Sequence, residues 1–325
     1  LLGSKSFELK RGLTIIFGDN ATGKTSLLEA IGYALRAKSI IHAKDYEVPT
    51  FGCSNFSVSS NLEGEKNLTT TVSWDERKSV RLNGKPVRSG KELIDAMKMV
   101  AITPATSLIA TGSPRARREF LDDTASQINP SWASVISDYR TTVTERNAWL
   151  KNEFGGRKML EVLTDNIIKF GTQVRIIREQ VANELKESLF EEKIAFSFTS
   201  SGNLTQQEFT KVYQKEKARE QTIIGPHKDD WSLMLDNHQV DRFASTGQAR
   251  KVTLTLKLAQ AKLIRRITGI EPIILADDLF AELDKARGKQ ALIQMEAFGQ
   301  VLITCAQKPP DGNYVLIESN SWANH

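Results

Sequence analysis

Apolar and polar positions follow three different rhythms along this chain, and each rhythm predicts a different kind of element. Residues Phe7 to Phe17 read as two strands separated by a turn at Arg11-Gly12, the second being Leu13-Thr14-Ile15-Ile16-Phe17. A glycine-rich stretch follows. From Lys24 onward the apolar residues Leu27, Leu28, Ala30, Ile31, Ala34 and Leu35 recur at helical spacing. Between Ser54 and Val87 the period drops to two, in segments such as Phe56-Ser57-Val58 and Thr69-Thr70-Thr71-Val72-Ser73-Trp74. There Asn83-Gly84 separates Val80-Arg81-Leu82 from Lys85-Pro86-Val87, a two-residue hairpin signal that predicts an antiparallel sheet.

From Pro114 to Glu220 strand signals mostly vanish. Leu160, Leu163, Ile167, Phe170, Val174, Ile177 and Val181, continued by Leu185 and Leu189, make one apolar helical stripe. At 1.5 Å per residue such a helix spans about 45 Å, which fits a bundle helix and excludes a long rod. After Ile223-Ile224-Gly225-Pro226 strands and helices alternate again. Val252, Leu256, Ala259, Leu263 and Ile267 mark one helix face, with Lys251, Lys257, Lys262, Arg265 and Arg266 on the other side. Ile273-Ile274-Leu275-Ala276 and Val301-Leu302-Ile303-Thr304 read as buried parallel strands. The organisation expected is an α/β domain formed by residues 1–112 and 225–325, split by a mainly α-helical insertion over residues 113–224.

Composition changes this picture little. Hydrophobic content of 40% and charged content of 26% are those of a soluble globular chain. No apolar run approaches the ~20 residues needed to cross a bilayer, so no membrane association and a cytoplasmic location are expected. The first residue is Leu1 rather than Met, so the native beginning is expected to be missing. Two cysteines, Cys53 and Cys305, have no ligand spacing and are expected to be buried small apolar side chains in a reducing compartment. The net charge of +5 fits an anionic partner.

The chemistry is concentrated in three places. Gly18-Asp19-Asn20-Ala21-Thr22-Gly23-Lys24-Thr25 satisfies G-x-x-x-x-G-K-[ST] between an apolar strand and a helix. Such a loop turns successive N–H groups toward phosphate oxygens at a helix N-terminus. Lys24 would supply charge to the β- and γ-phosphates, Thr25 a hydroxyl ligand for Mg²⁺, and Ser26 a further phosphate contact. Asp277 and Asp278 end the strand Ile273–Ala276, where a Walker B carboxylate holds the metal. Asp277 is expected in the Mg²⁺ shell and Asp278 beside the attacking water. Aspartate is one methylene shorter than the glutamate common at the latter place, so slow ATP hydrolysis is expected. Ser245-Thr246-Gly247-Gln248 opens a helix about thirty residues before the Walker B strand, where ABC ATPases keep their signature motif.

That order of motifs resembles the ABC ATPases, in which the signature of one subunit meets the γ-phosphate bound by the other. The resemblance implies a homodimer sharing two ATP molecules, with Ser245, Gly247, Gln248 and the D-loop residue Asp284 acting in trans. It narrows further. Gly112-Ser113-Pro114-Arg115-Ala116-Arg117-Arg118-Glu119-Phe120-Leu121-Asp122 is similar to the G-x-P-x-x-R-R-x-F-L-D segment of the RecF family. Glu145-Arg146-Asn147-Ala148-Trp149-Leu150-Lys151 resembles its Q-R-N-x-L-L-K, and Gly225-Pro226-His227-Lys228-Asp229-Asp230 its G-P-H-R-D-D. The resemblance runs from the phosphate loop to Ala306. The chain departs from the pattern at Ala105-Thr106, where an acidic residue is usual, and at Cys305-Ala306-Gln307, where an H-loop histidine would stand.

The resemblance implies an ABC-type head of the SMC/Rad kind without a long coiled coil. It implies a weak ATPase of recombinational repair, whose ATP hydrolysis regulates its binding to double-stranded DNA and single-strand–double-strand junctions. Partners would be RecR and RecO, assisting the loading of RecA. Arg115, Arg117, Arg118, Lys251 and Lys257 are candidate DNA contacts, with solvated or structural charge as the competing expectation for each. A transporter ATPase subunit and a non-hydrolysing, ATP-locked scaffold are the alternatives.

Overall fold

The chain divides into two compact units, Leu1–Ser107 with Leu254–His325, and Leu108–Thr253. The second begins close to residue 113 but extends past residue 224, taking in Ser245 to Gln248. The computed structural model describes residues 5–50, 52–63, 67–153, 156–189, 192–281 and 285–319. None of the described helices is long and apolar enough to cross a membrane.

The first unit is built on a parallel sheet of β1 (Gly12–Phe17), β6 (Met99–Ile102), β10 (Ile273–Ala276), β11 (Gln300–Cys305) and β12 (Val315–Glu318), in the order β12-β1-β11-β10-β6. Ile15, Ile16, Ile274, Leu275, Val301 and Ile303 are wholly buried, which is why these strands read as continuous apolar runs. Register aligns the strand ends. Phe17 pairs with Cys305, and Ala276 with both Ile303 and Ile102, so the loops after β1, β10 and β11 leave the same edge. In parallel α/β sheets that carboxyl edge is where ligands bind.

Beside it lies the expected antiparallel sheet, β2 (Asn55–Leu62), β3 (Leu68–Asp75), β4 (Arg77–Leu82) and β5 (Lys85–Pro86). Its inner face packs Phe56, Val72, Val80 and Leu82 into one core with Leu28, Tyr33 and Leu35 of the helix Lys24–Arg36. The Asn83 side chain accepts from the Thr69 N–H at 2.8 Å and pins the hairpin turn. The strand expected from Phe7 does not form. Residues 7–10 enter no ladder, and the Lys10 carbonyl accepts instead from Gln300 Nε2 at 2.9 Å.

The second unit contains the helices Pro114–Ile128, Pro130–Asn152, Gly156–Leu189 and Gln206–Arg219. In the third of these, Leu163, Ile167, Val174, Ile177, Val181, Leu185 and Leu189 are buried, as the stripe predicts, and it packs along Pro130–Asn152. A small antiparallel sheet accompanies them: β7 (Ile194–Thr199), β8 (Asp230–Leu235) and β9 (His238–Gln239). The helix Thr246–Thr268 runs through the division between the units. Val252, Leu256, Ala259 and Leu263 are buried on it as expected, but Ile267 is exposed. Lys257 is buried rather than solvated, its Nζ donating to Gln260 Oε1 at 2.7 Å.

Candidate functional site

The glycine-rich loop joins β1 to the helix Lys24–Arg36. Gly23 is the residue before the helix and has φ of +91°, a left-handed conformation that a Cβ would disfavour. The loop starts with the Gly18 N–H donating to the Cys305 carbonyl, 3.3 Å, and so is anchored to the neighbouring strand. Asp19, Asn20 and Ala21 are exposed, and Ser26 is half-buried. Thr22 Oγ1 donates to the Asp19 carbonyl at 3.0 Å and lies 2.7 Å from the Ser319 hydroxyl. The Lys24 ammonium folds into the loop, donating to the carbonyls of Gly18 (2.7 Å) and Asp19. An ammonium has three protons, so one remains beyond these two bonds for an anionic acceptor.

Asp277 meets this loop. Thr25 Oγ1 lies 3.0 and 3.1 Å from its two carboxylate oxygens, and the Asp277 N–H is fixed by the Ile102 carbonyl at 2.8 Å. A hydroxyl and a carboxylate brought together are a hard-oxygen donor pair suited to Mg²⁺. Among the described residues no cluster of three or more His, Cys, Asp or Glu could hold a metal ion by itself. A cation here would complete its shell with phosphate and water, as Mg²⁺ commonly does. Asp278 follows with φ of +50° and is half-buried.

Where an H-loop histidine would stand, Cys305 is buried, and its thiol is pushed up to about 11 by burial and by the Asp278 charge. It therefore stays a neutral thiol. Cys53, in contrast to the expectation that both cysteines are buried, is exposed.

In the second unit Ser245 caps the helix Thr246–Thr268 through a reciprocal box. The Gln248 N–H donates to Ser245 Oγ (3.2 Å) and the Ser245 N–H to Gln248 Oε1 (2.8 Å). The capping bond uses an acceptor lone pair and leaves the Ser245 O–H free to donate elsewhere. Ser245, Thr246 and Gln248 are exposed and Gly247 half-buried. Asp284, expected to act with them, lies outside the described residues.

The three segments that resemble RecF motifs come together as a network of arginines and carboxylates. Arg117 forks onto Asp230 with Nε–Oδ1 2.8 Å and Nη2–Oδ2 2.9 Å. Arg118 donates to the Asp229 carbonyl (2.7 Å), and Arg175 pairs with the Asp229 carboxylate (2.7 and 3.0 Å). Arg178 holds Asp122 (2.8 and 3.0 Å) and the Pro226 carbonyl (2.7 Å). Arg146 is wholly buried against Glu216 (2.7 Å), Thr222 (2.9 Å) and Thr164 (3.2 Å). His227 is pushed down to about 4 by burial and is neutral. It donates from Nε2 to the Thr222 carbonyl (2.9 Å) and accepts the Tyr139 O–H at Nδ1 (2.7 Å). Gly225 has φ of +127°, and a Cβ there would stand 2.6 Å from the Tyr139 oxygen. The Gly225–Asp230 motif is thus a knot holding helices from across the unit.

This corrects part of the DNA-contact expectation. Arg117 is 2% exposed and structural, and Arg118 is committed to a backbone carbonyl. Arg115 is 80% exposed and pairs with Glu119, and Lys251 pairs with Glu192.

Comparison with known proteins agrees with this reading. Residues 2–300 match the family described as "AAA domain". The chain is 30% identical to the DNA replication and repair protein RecF of Ruminiclostridium cellulolyticum, over 94% of this chain and 90% of that one. It is 33% identical to the protein of the same name from Desulforudis audaxviator, over 94% and 91%. The structure of "the recombination mediator protein RecF-ATPrS in RecFOR pathway" superposes with a TM-score of 0.87 at 26% identity, covering 98% of this chain and 93% of that one. A likeness in fold alone extends to an Smc head, with a TM-score of 0.51, 14% identity, and 91% and 82% of the two chains covered. On the strength of the loop, the paired aspartates, the helix capped by Ser245 and these relatives, the chain belongs to the RecF family of DNA replication and repair proteins, within the broader AAA domain family.

Proposed function

We propose that this protein is an ATP-gated DNA clamp of recombinational repair, working in the cytoplasm as a head-to-tail homodimer with two shared ATP sites. The observation that carries the reading is the meeting of Thr25 with Asp277, motifs 252 residues apart in sequence, beside the Lys24 ammonium. Loop N–H groups and Lys24 bind the phosphates. Thr25 and Asp277 would hold Mg²⁺, which when bound would supply positive charge to the phosphate oxygens. Asp278 orients the attacking water and accepts its proton, and the short aspartate makes hydrolysis slow. Ser245, Gly247 and Gln248 of the partner, with its Asp284, close the site from the other side. The Ser245 hydroxyl donates there, and the helix N-terminus adds partial positive charge.

Closure brings cations of two copies onto one duplex, so binding is independent of base sequence and strongly salt dependent. The relatives named RecF, and a structure described as part of the RecFOR pathway, support a role at gapped or junction DNA, together with RecO and RecR, in loading RecA.

Sedimentation velocity with Mg-ATP, with and without a short duplex at low salt, tests this. A monomer converted by ATP to a dimer that carries the duplex supports the clamp. A chain that binds ATP yet stays monomeric, and leaves the duplex sedimenting alone, overturns it.

A further inference from the structure

One buried hydroxyl joins the two aspartates that end β10. Thr304 is the penultimate residue of β11, the strand between β1 and β10, and it is 1% exposed. Its neighbours Val301, Leu302, Ile303 and Cys305 are all buried and apolar. Valine would fill the same volume and suit such a strand, whereas a hydroxyl costs free energy to bury unless it is bonded. It is bonded in both directions. Thr304 Oγ1 donates to Asp277 Oδ1 at 2.7 Å and accepts the Asp278 N–H at 2.9 Å.

Each bond fixes something the chemistry needs. Asp277 is otherwise tied through its side chain to Thr25, at 3.0 and 3.1 Å. The Thr304 bond is independent of Thr25, so Asp277 stays oriented when the Thr25 hydroxyl turns to another ligand. Asp278 holds φ of +50°, a left-handed conformation that L residues adopt at a cost. Its N–H bond to Thr304 retains that conformation and so aims the carboxylate proposed to orient water. The Cys305 carbonyl next along accepts the Gly18 N–H, so the same strand end also registers the phosphate loop.

We propose that Thr304 is a positioning residue for ATP hydrolysis, setting the metal-side carboxylate Asp277 and the water-side residue Asp278 through its single hydroxyl. The proposal rests on the hydrolytic reading of this site. Thr304 stands immediately before Cys305, and it acts through the aspartates rather than on the nucleotide.

The test compares wild type with Thr304→Val, which removes the hydroxyl at constant volume, and Thr304→Ser, which keeps it. Steady-state ATPase kinetics are measured alongside equilibrium binding of a fluorescent ATP analogue, in Mg²⁺ and in EDTA. Urea unfolding checks that each variant is folded. For Thr304→Val, kcat falls at least about tenfold, a 1.4 kcal/mol barrier change, and KM in Mg²⁺ rises with the loss of the metal-dependent affinity. Its affinity in EDTA matches wild type, but the gain in affinity conferred by Mg²⁺ is lost. Thr304→Ser restores both quantities to within about threefold of wild type. A folded Thr304→Val protein with wild-type kcat and a wild-type Mg²⁺ increment overturns the proposal. So does a folded Thr304→Ser protein as impaired as the valine variant, since volume rather than the hydroxyl would then matter. A wild-type protein with no ATPase activity sinks the hydrolytic reading itself, a result distinct from either.

Discussion

Ser245 carries two jobs that one substitution can separate. Its side-chain oxygen caps the helix Thr246–Thr268 by accepting the Gln248 N–H at 3.2 Å, and its O–H is proposed to meet the partner's γ-phosphate. Aspartate caps as well as serine, and a carboxylate at a helix N-terminus is stabilised by roughly 0.3–1 kcal/mol. Ser245→Asp should therefore unfold in urea within about 0.5 kcal/mol of wild type. Ser245→Ala loses the acceptor, keeps only the Gln248 half of the box, and should cost about 1 kcal/mol. In the dimer the order reverses. The aspartate removes a donor to a charged acceptor, worth about 1.5–3 kcal/mol, and sets a negative charge against phosphate. Two equivalent sites double the loss to about 3 kcal/mol or more, on the order of 100-fold in the dimer dissociation constant. Sedimentation velocity over a protein concentration series in saturating Mg-ATP reads that constant. An Asp variant that is stable and dimerises as wild type would remove Ser245 from the trans site. An Asp variant much less stable than the Ala variant would show that position 245 is not acting as a cap.

Three further outcomes are expected. Lys24→Ala should abolish ATP-dependent dimerisation, whereas Asp278→Asn should slow hydrolysis at least about tenfold and prolong the ATP-bound dimer; sedimentation and phosphate release read the two. Arg146→Met should destabilise the second unit by about 3–5 kcal/mol, because it strands Glu216, 0% exposed, with one remaining bond from the Ile223 N–H. Adding Glu216→Gln should recover part of that loss, and strict additivity in urea denaturation would refute the buried pairing. For His227 the folded pKa, about 4, lies below the ordinary 6.5. Its contribution is therefore present above pH 6.5 and lost as pH falls toward 4, by about 3 kcal/mol. A His227→Gln protein should show a correspondingly shallower loss of stability between those values, and an unchanged slope would count against the buried neutral imidazole.

The parts of this fold legible in sequence were those where one short segment carries its own physical constraint. The phosphate loop specifies its backbone through glycines and its side chains through Lys24 and Thr25. The two apolar runs ending at Ala276 and Thr304 could only be buried strands. The antiparallel sheet announced itself through alternation and Asn83-Gly84. The failures have equally local reasons. Phe7-Glu8-Leu9-Lys10 alternates like a strand but enters no ladder. The four residues of β6 are too few for a period to emerge, although they lie at the edge of the central sheet. The strand β7, Ile194-Ala195-Phe196-Ser197-Phe198-Thr199, does alternate, but it sits in a helical region, and its partner β8 begins only at Asp230. The Gly225–Asp230 motif was recognisable without being explicable. Its partners, Arg117 and Arg175, lie 113 and 54 residues away, and no spacing along the chain announces a fork of that kind.

That network also changes how DNA binding should be sought. The family-like segments are rich in arginine, which invites their assignment as phosphate contacts. Yet Arg117, Arg146, Arg175 and Arg178 are matched by Asp230, Glu216, Asp229 and Asp122, four cations against four carboxylates. These pairs cancel, so the net charge of +5 is carried by other residues. Substituting a paired arginine would weaken DNA binding only by damaging the unit that holds it. Removing a true phosphate contact would weaken binding and also flatten its salt dependence, by about 0.9 in the logarithmic slope per phosphate lost. A folding defect lowers the competent fraction by a constant factor and leaves that slope alone. The slope, rather than the affinity, therefore separates the residues that build this protein from those that touch DNA. Arg117→Ala, with lower affinity and an unchanged slope, would place that arginine with the builders, and a slope reduced by about one unit would move it to the DNA surface.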